Sequence, residues 1–171
     1  RFGDGLVDPA KIRLAPNVFD VETPTPMDPE SRDLVFVGQA NYYPNEDAIR
    51  NLFAISRALD ARGVAHRMRI VGRVGERVRE EARACPSVEL TGYVPSVVPF
   101  VEGAAVAPIA LTLGGGTRLK ILEAMALARP VLSTPIGIEG IACENGVEAV
   151  IEPDLDAFPD RIEELFADRR R

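Results

Sequence analysis

The stretch Ala105-Val106-Ala107-Pro108-Ile109-Ala110-Leu111-Thr112-Leu113-Gly114-Gly115-Gly116-Thr117-Arg118-Leu119-Lys120-Ile121-Leu122-Glu123-Ala124-Met125-Ala126-Leu127-Ala128-Arg129-Pro130-Val131-Leu132-Ser133 decides the fold. It opens on a short apolar run, Ala105–Ile109, and turns through three glycines. It continues at helical spacing over Leu119–Ala128 and, past Pro130, returns to a second short apolar run, Val131–Ser133. A strand-like run, a helix-like run and another strand-like run form the repeating unit of a parallel sheet covered by helices.

The same alternation extends in both directions. Strands are expected at Leu34–Val37, Met68–Val71, Val88–Leu90, Ala105–Ile109, Val131–Ser133 and Ala149–Ile151, and helices at Asn45–Ala61, Glu76–Ala84, Val97–Val101, Leu119–Ala128 and Asp156–Ala167. Gly38, Gly72 and Gly92 each follow an apolar run directly, where the chain must leave the sheet. The fold class is therefore α/β, a doubly wound parallel six-stranded sheet with helices on both faces. Residues 1–32 carry Pro9, Pro16, Pro24, Pro26 and Pro29, too many for a long helix or a central strand, and read as a lead-in arm with a short strand at Ile12–Leu14. Residues 33–171 form the domain, and Arg169–Arg171 reads as a solvated helix terminus.

In such a sheet, ligands bind at the carboxyl ends of the strands, where helix N-termini converge. The segments to inspect are Gly38–Pro44, Gly72–Gly75, Thr91–Pro95, Ala110–Arg118 and Thr134–Gly140. The glycine-rich one carries the chemistry. Glycines leave backbone amides open to close approach, and the helix that follows aims its unsatisfied N–H groups at the same place, which makes an anion site, most naturally for phosphate. Arg118 and Lys120 add charges of a sign that a helix N-terminus alone disfavours, so an anion between them makes sense of both. A solvated helix start is the plainer reading of three glycines. Against it stands Glu123, a carboxylate among Ile121, Leu122, Ala124, Met125, Ala126 and Leu127. A carboxylate in such surroundings needs a partner, either Lys120 three residues earlier or the hydroxyls of a ligand.

Composition excludes several classes. The 171 residues carry 20 Lys+Arg against 26 Asp+Glu, a net charge of −6, which is the wrong sign for gripping a nucleic acid backbone. No apolar run approaches the ~20 residues that span a bilayer, and no charged-then-apolar leader opens the chain. The sequence starts on Arg1 rather than Met, the start expected of a piece of a longer protein. Two cysteines, Cys85 and Cys143, and one histidine, His66, make neither a zinc nor a disulfide framework, and all three read as structural. Neither GxxxxGK[ST] nor GxGxxG after the first strand is present, which disfavours P-loop hydrolysis and an ordinary NAD site. Only Lys11 and Lys120 are lysines, so the position of Lys120 is informative.

From Leu34 to about Asp168 the chain resembles the C-terminal, donor-binding domain of a GT-B glycosyltransferase of glycosyltransferase family 4, a Rossmann-like half of a two-domain enzyme. The blocks that carry the resemblance are Phe36-Val37-Gly38 with Tyr43-Pro44-Asn45 and Asp47-Ala48, Ile70-Val71-Gly72, Leu90-Thr91-Gly92-Tyr93-Val94-Pro95, and Gly116-Thr117-Arg118-Leu119-Lys120-Ile121-Leu122-Glu123-Ala124-Met125-Ala126. This last block runs on into Arg129-Pro130-Val131, Ser133-Thr134 and Gly137-Ile138-Glu139-Gly140. Ala15-Pro16-Asn17-Val18-Phe19-Asp20 is similar to the segment by which such enzymes enter this domain.

The resemblance implies that Glu123 binds the donor ribose. A family glutamate seven residues earlier, which contacts the transferred sugar, falls on Gly115 and is missing. The Arg and Lys that the family places after the first strand are missing too, since Gln39-Ala40-Asn41-Tyr42-Tyr43 holds no cation. Gly115, Gly116, Thr117, Arg118 and Lys120 are then the expected diphosphate-binding residues. Tyr93 and Val94 are candidates for base contacts, and Gly38, Gln39 and Arg73 are crevice candidates. Asn45 reads as a helix N-cap after Pro44. Asp154-x-Asp156 reads as the acidic start of the last helix rather than a metal site, so no metal and no cofactor is expected beyond the UDP- or GDP-sugar donor. The partners implied are that nucleotide sugar and the missing N-terminal acceptor domain of the same protein. The location implied is cytoplasmic, with peripheral membrane association of the full-length enzyme. The reaction implied is a retaining, metal-independent transfer of a hexose to a glycan, lipid or small molecule, with this domain inactive alone. Two alternatives stand beside it: a catalytically degenerate nucleotide-binding or interaction module, motivated by Gly115, and half of a sugar-nucleotide epimerase of the same architecture.

Overall fold

The structure, a computed structural model, describes residues 23–168. The expected strand at Ile12–Leu14, the Ala15–Asp20 segment and the Arg169–Arg171 tail lie outside the described residues. In chain order the elements are β1 (Asp33–Val37), α1 (Tyr43–Ala61), β2 (Arg67–Val71), α2 (Glu76–Ala82), β3 (Val88–Gly92), α3 (Val98–Glu102), β4 (Ala107–Ile109), α4 (Leu119–Ala126), β5 (Val131–Ser133), β6 (Val150–Ile151), a 3-10 turn (Leu155–Ala157) and α5 (Phe158–Ala167).

All strand pairs are parallel. β1-β2-β3 form one three-stranded sheet and β4-β5-β6 another. The expected strand Ala105–Ile109 is divided between them, which is why β4 is shorter than its apolar run. Ala105 N donates to Asp33 O at 2.7 Å and Val35 N to Val106 O at 3.1 Å, joining Leu34 and Val106 in a parallel bridge, whereas Ala107–Ile109 pair with β5. The two sheets are thus continuous, in the order β3-β2-β1-β4-β5-β6. The order reverses between β1 and β4, and the crevice of an open α/β sheet opens at that switch point.

The central strands β1, β4 and β5 are near-continuous apolar runs because both faces are covered, whereas β2 and β3, toward the edge, carry Arg67, Arg69 and Glu89 between their apolar residues. Leu34, Phe36, Met68, Ile70, Ile109 and Leu132 are fully buried. α1 turns Ala48, Ile49, Leu52, Phe53, Ile55 and Leu59 inward at helical spacing and packs against α2 and α5. α4 packs on β4 and β5. The β1–α1–β2 and β4–α4–β5 connections run in opposite directions along the sheet, so right-handed crossovers put α1 and α4 on opposite faces.

At the amino edge, Asp33 accepts from Arg67 at 2.9 and 3.0 Å and pairs with Arg69 at 2.7 Å, and Arg69 reaches Glu89 at 3.1 Å, a ladder of ion pairs across β1, β2 and β3. The described part of the arm lies on the body: Thr25 N donates to Glu102 at 3.2 Å, and the buried Arg129 donates to Thr25 O at 2.5 Å.

Several expectations are corrected. Asn45 is not the N-cap of α1. The helix begins at Tyr43 with Tyr42 as cap, and Pro44 occupies its first turn, where proline is tolerated because its missing N–H has no intrahelical role. α4 ends at Ala126 instead of Ala128, because Ala128 takes φ 53° and Arg129 N folds back on Ala124 O at 2.9 Å. α2 stops at Ala82, where Cys85 N turns to Ala82 O at 2.9 Å ahead of Pro86. The last helix begins at Phe158, after a 3-10 turn that Asp154 caps by accepting from Asp156 N on its Oδ1 at 3.0 Å; Ala157 precedes the helix itself with no side-chain cap. Cys85 is buried as expected, but Cys143 is partly exposed, and both are free thiols.

Candidate functional site

The glycine-rich loop and the start of α4 stand at the carboxyl edge, over the switch point. Gly114 adopts φ +110°, and a Cβ there would stand 2.9 Å from Pro44 Cβ, so the loop lies directly against the first turn of α1. Only glycine serves at such a position. Arg118, 6% exposed, holds the loop from beneath: it donates to Gly114 O at 3.0 Å, Gly115 O at 3.4 Å and Ile136 O at 2.8 Å. Its guanidinium is committed to three backbone carbonyls, with Nε left without a partner and the Glu139 carboxylate at 3.9 Å. Arg118 therefore shapes the loop and adds positive potential beneath it.

Above that clamp, the amides of residues 115–120 donate to no protein acceptor among the described residues, and Gly115, Gly116 and Thr117 are exposed. A run of free N–H groups ahead of a helix is a nest for an anion. Gly115 has an ordinary φ and open space around its Cα, so neither backbone nor packing demands glycine there.

Lys120 projects from the first turn of α4 toward α1. Its Nζ donates to Asn45 Oδ1 at 2.7 Å and sits 4.0 Å from the centre of the Phe36 ring. It makes no ion pair with Glu123, the partner contemplated from their spacing. Burial, and secondarily the charge of Arg118, lowers its pKa from 10.5 to about 7. Loss of hydration disfavours the ammonium, and neither the Asn45 dipole nor the Phe36 ring fully replaces the water.

Glu123, one turn further along, is half-buried. Its carboxylate has no hydrogen-bond or ion-pair partner among the described residues, and desolvation raises its pKa. A partly desolvated, unpaired carboxylate has a strong requirement for donors.

The remaining candidates lie along the same edge. Gly38 N donates to Val71 O at 2.9 Å, and a Cβ on Gly38 would stand 3.1 Å from Asn45 Cγ, so its lack of a side chain admits Asn45. Gln39 contributes its carbonyl, which accepts from Asn45 Nδ2 at 3.0 Å. Arg73 stacks at 5.1 Å on the exposed Tyr93 ring, and its own carbonyl accepts from Ala40 N at 2.9 Å. Val94 is half-buried and packs on the core. Among the described residues, no hydrogen bond, ion pair or ring contact joins Tyr93 or Val94 to the glycine loop. His66 is remote, buried between Ser56 Oγ at 2.8 Å and Val64 O at 2.9 Å.

Two participants are not apparent from the sequence. Asn45, a cap by its sequence context, ties the β1–α1 loop to Lys120, and Phe36, an ordinary core residue by sequence, forms the floor beneath the ammonium. The available signal for the first was Pro44: a proline in a first turn puts the cap upstream and frees the Asn45 side chain. On the far side of the crevice, Thr112 Oγ1 donates to Asp47 Oδ2 at 2.5 Å and Asn51 Nδ2 to Ala110 O at 3.0 Å, tying the β4 exit to α1. No group of three or more His, Cys, Asp or Glu side chains is placed to hold a metal ion among the described residues.

The family model described as Glycosyl transferases group 1 matches residues 31–168. No curated protein sequence matches the chain. Among solved structures, TarM of S. aureus, determined with fondaparinux, alpha-GlcNAc-glycerol and UDP, superimposes with a TM-score of 0.71 at 17% identity over 88% of this chain and 31% of its own. HepE of Anabaena, in complex with UDP and glucose, gives 0.63 at 12% identity over 82% of this chain and 40% of its own. A glycosyltransferase of Rickettsia africae gives 0.65 at 15% identity over 81% and 38%. At these identities the likeness establishes the fold, and the chain spans only 31–40% of the length of these three structures.

Proposed function

The chain belongs to the glycosyl transferases group 1 family, and on that premise we propose that residues 33–171 are the donor-binding domain of a retaining, nucleotide-sugar-dependent hexosyltransferase. The observation that carries this reading is the pair on α4: a desolvated cation without a carboxylate and, one turn on, a half-buried carboxylate without a cation. A nucleoside diphosphate has what each lacks, a polyanion for Lys120 and the amides of residues 115–120, and adjacent ribose hydroxyls for Glu123. The UDP bound in TarM and HepE supports a nucleotide-sugar donor of this class.

In the proposed reaction the bond between the sugar C1 and the diphosphate oxygen breaks. The electron pair leaves with the diphosphate, a new bond forms from the acceptor hydroxyl oxygen to C1 on the same face of the sugar, and the hydroxyl proton passes to the departing diphosphate oxygen. The chain's own task is to stabilise the charge growing on the departing diphosphate with the Lys120 ammonium and fixed amides, which are in place before the reaction. The acceptor is held by an N-terminal domain of a longer protein, so the 171-residue chain alone binds UDP or GDP and transfers no sugar. A cytoplasmic location, with peripheral membrane association of the longer protein, belongs to the same proposal. Among the described residues no helix is long and apolar enough to cross a membrane.

The test is calorimetric titration of the chain with UDP and GDP, repeated on Glu123→Ala. Loss of charge-assisted bonds worth about 1.5–3 kcal/mol weakens binding by roughly tenfold to a hundredfold. Equal affinity in the variant, or no binding to the unmodified chain, refutes the reading. Gly115 favours a second reading, a nucleotide-binding module without transfer, which a transfer assay on the longer protein separates from the first.

A further inference from the structure

We propose that Asn45 is a positioning residue that holds the Lys120 side chain at the crevice, so that the Lys120 amine takes up a proton from solvent as a diphosphate binds beside it. The proposal rests on the reading of the crevice as a nucleoside diphosphate site.

Asn45 is gripped at both ends of its amide. Gln39 O can only accept, so the group facing it is the Nδ2 donor, at 3.0 Å, and Oδ1 is left to face Lys120 Nζ at 2.7 Å. The β1–α1 loop thereby orients a neutral acceptor toward the ammonium. An amide supplies a dipole and no charge, so it directs the Nζ without neutralising it. Phe36 closes the underside at 4.0 Å. A carboxylate in place of Asn45 would pair with the ammonium and compete with phosphate for it.

The charged groups on the surrounding elements leave Lys120 uncompensated. On α1, Asp47 is engaged by Thr112 and Asn51, and Glu46 by Arg50 at 2.5 Å. On α4 and its cap, Arg118 opposes the charge and Glu123 makes no bond to it. From β1 and the loop after it, Phe36, Gly38 and Gln39 carry no charge. The amino edge contrasts with this: Arg67 and Arg69 are both paired with carboxylates there. The cation at the carboxyl edge is kept without an acid.

The sign of the pH dependence follows. With its pKa near 7, Lys120 in the free protein is half protonated at pH 7 and about one hundredth protonated at pH 9, whereas a bound diphosphate holds it protonated throughout. Affinity then falls about fiftyfold from pH 7 to pH 9, with proton uptake on binding. This window lies above the second ionisation of a phosphate, near pH 6.

The experiment is calorimetry of UDP and GDP binding from pH 6.5 to 9, in buffers of differing ionisation enthalpy, on the 171-residue chain and on Asn45→Asp, Asn45→Ala and Lys120→Met. Alongside it, the lysine side-chain signal is titrated by NMR in a Lys11→Arg background, where Lys120 is the only lysine. The expected results are a lysine titrating near neutrality, a fiftyfold loss of affinity with proton uptake in the unmodified chain, and an upward-shifted lysine with loss reduced below threefold in Asn45→Asp. Asn45→Ala should bind at least tenfold more weakly at pH 7 with the proton uptake retained, and it decides the role of Asn45 if the Asp variant fails to fold. Lys120→Met should abolish the uptake. A nucleotide that binds with the same pH slope in Asn45→Asp, or with full affinity in Asn45→Ala, overturns the role of Asn45 and leaves the site reading intact. A lysine titrating near 10 overturns it equally. Failure of the unmodified chain to bind either nucleotide at any pH overturns the site reading and this inference with it.

Discussion

Lys120 and Glu123 are one helical turn apart and of opposite charge, yet each is left unpaired by the other. Two burial effects of opposite consequence follow, since desolvation lowers the lysine pKa to about 7 and raises that of the glutamate. Nucleotide binding should therefore fall on both sides of an optimum. It falls above pH 7 as Lys120 deprotonates, and on the acid side at a higher pH than an ordinary glutamate would give, as Glu123 takes up a proton. Glu123→Gln should reduce the acid limb to that of the phosphate's own ionisation and leave the alkaline one, a result read from affinity against pH. Adjacent glycines make a second contrast. Gly114→Ala meets Pro44 and an unfavourable φ, so it should lower stability by about 1–3 kcal/mol and displace the loop from α1. Gly115→Glu meets nothing within 4 Å and should leave the melting temperature within a degree or two, while placing a carboxylate where donor sugars of different shape can be compared for affinity.

At the scale of elements, α4 is the scaffold of the candidate site and ends on a strained residue. Its carboxyl end is closed by Ala128 at φ 53°, a conformation that costs an L residue roughly 1–2 kcal/mol and glycine much less. Ala128→Gly should stabilise the chain by about 0.5–1 kcal/mol, or about 1–4 °C by thermal melting, without altering nucleotide affinity. The helix could be read from the spacing of Ile121, Ala124 and Leu127, but its end could not, because alanine does not advertise a left-handed turn. The reverse happened at α1. Pro44-Asn45 marked the start of a helix correctly to within a turn, and the assignment of Asn45 as its cap failed because the proline sits inside the first turn. That error removed Asn45 from the expected site, and its identity as the hold on Lys120 emerges only when α1 and α4 are brought together across 75 residues of chain.

For the whole molecule, charge is sorted by edge. Paired ions occupy the amino ends of β1, β2 and β3, where the bridges of the exposed Arg67 contribute at most about 1 kcal/mol each, whereas Lys120 and Glu123, at the carboxyl ends around the switch point, form no ion pair among the described residues. The described part of the arm, from residue 23 on, is part of this body. Deleting residues 1–30 removes the Thr25 carbonyl from the buried Arg129 guanidinium, whose Nε already lacks a partner, and should destabilise the chain by about 1–3 kcal/mol in urea melts. By itself the sequence determined the α/β class and the six strands, and it singled out the glycine-rich loop, Glu123 and Lys120 as the candidate site. These depend on hydrophobic periodicity and on residue types whose chemistry is local. Only the tertiary structure decided what those groups touch. It spent Arg118 on three carbonyls, denied Glu123 the partnership of Lys120, and joined the halves of the sheet through Ala105 and Val106. Such pairings depend on which distant segments share a boundary, and burial sets the charge of a side chain only once that boundary exists.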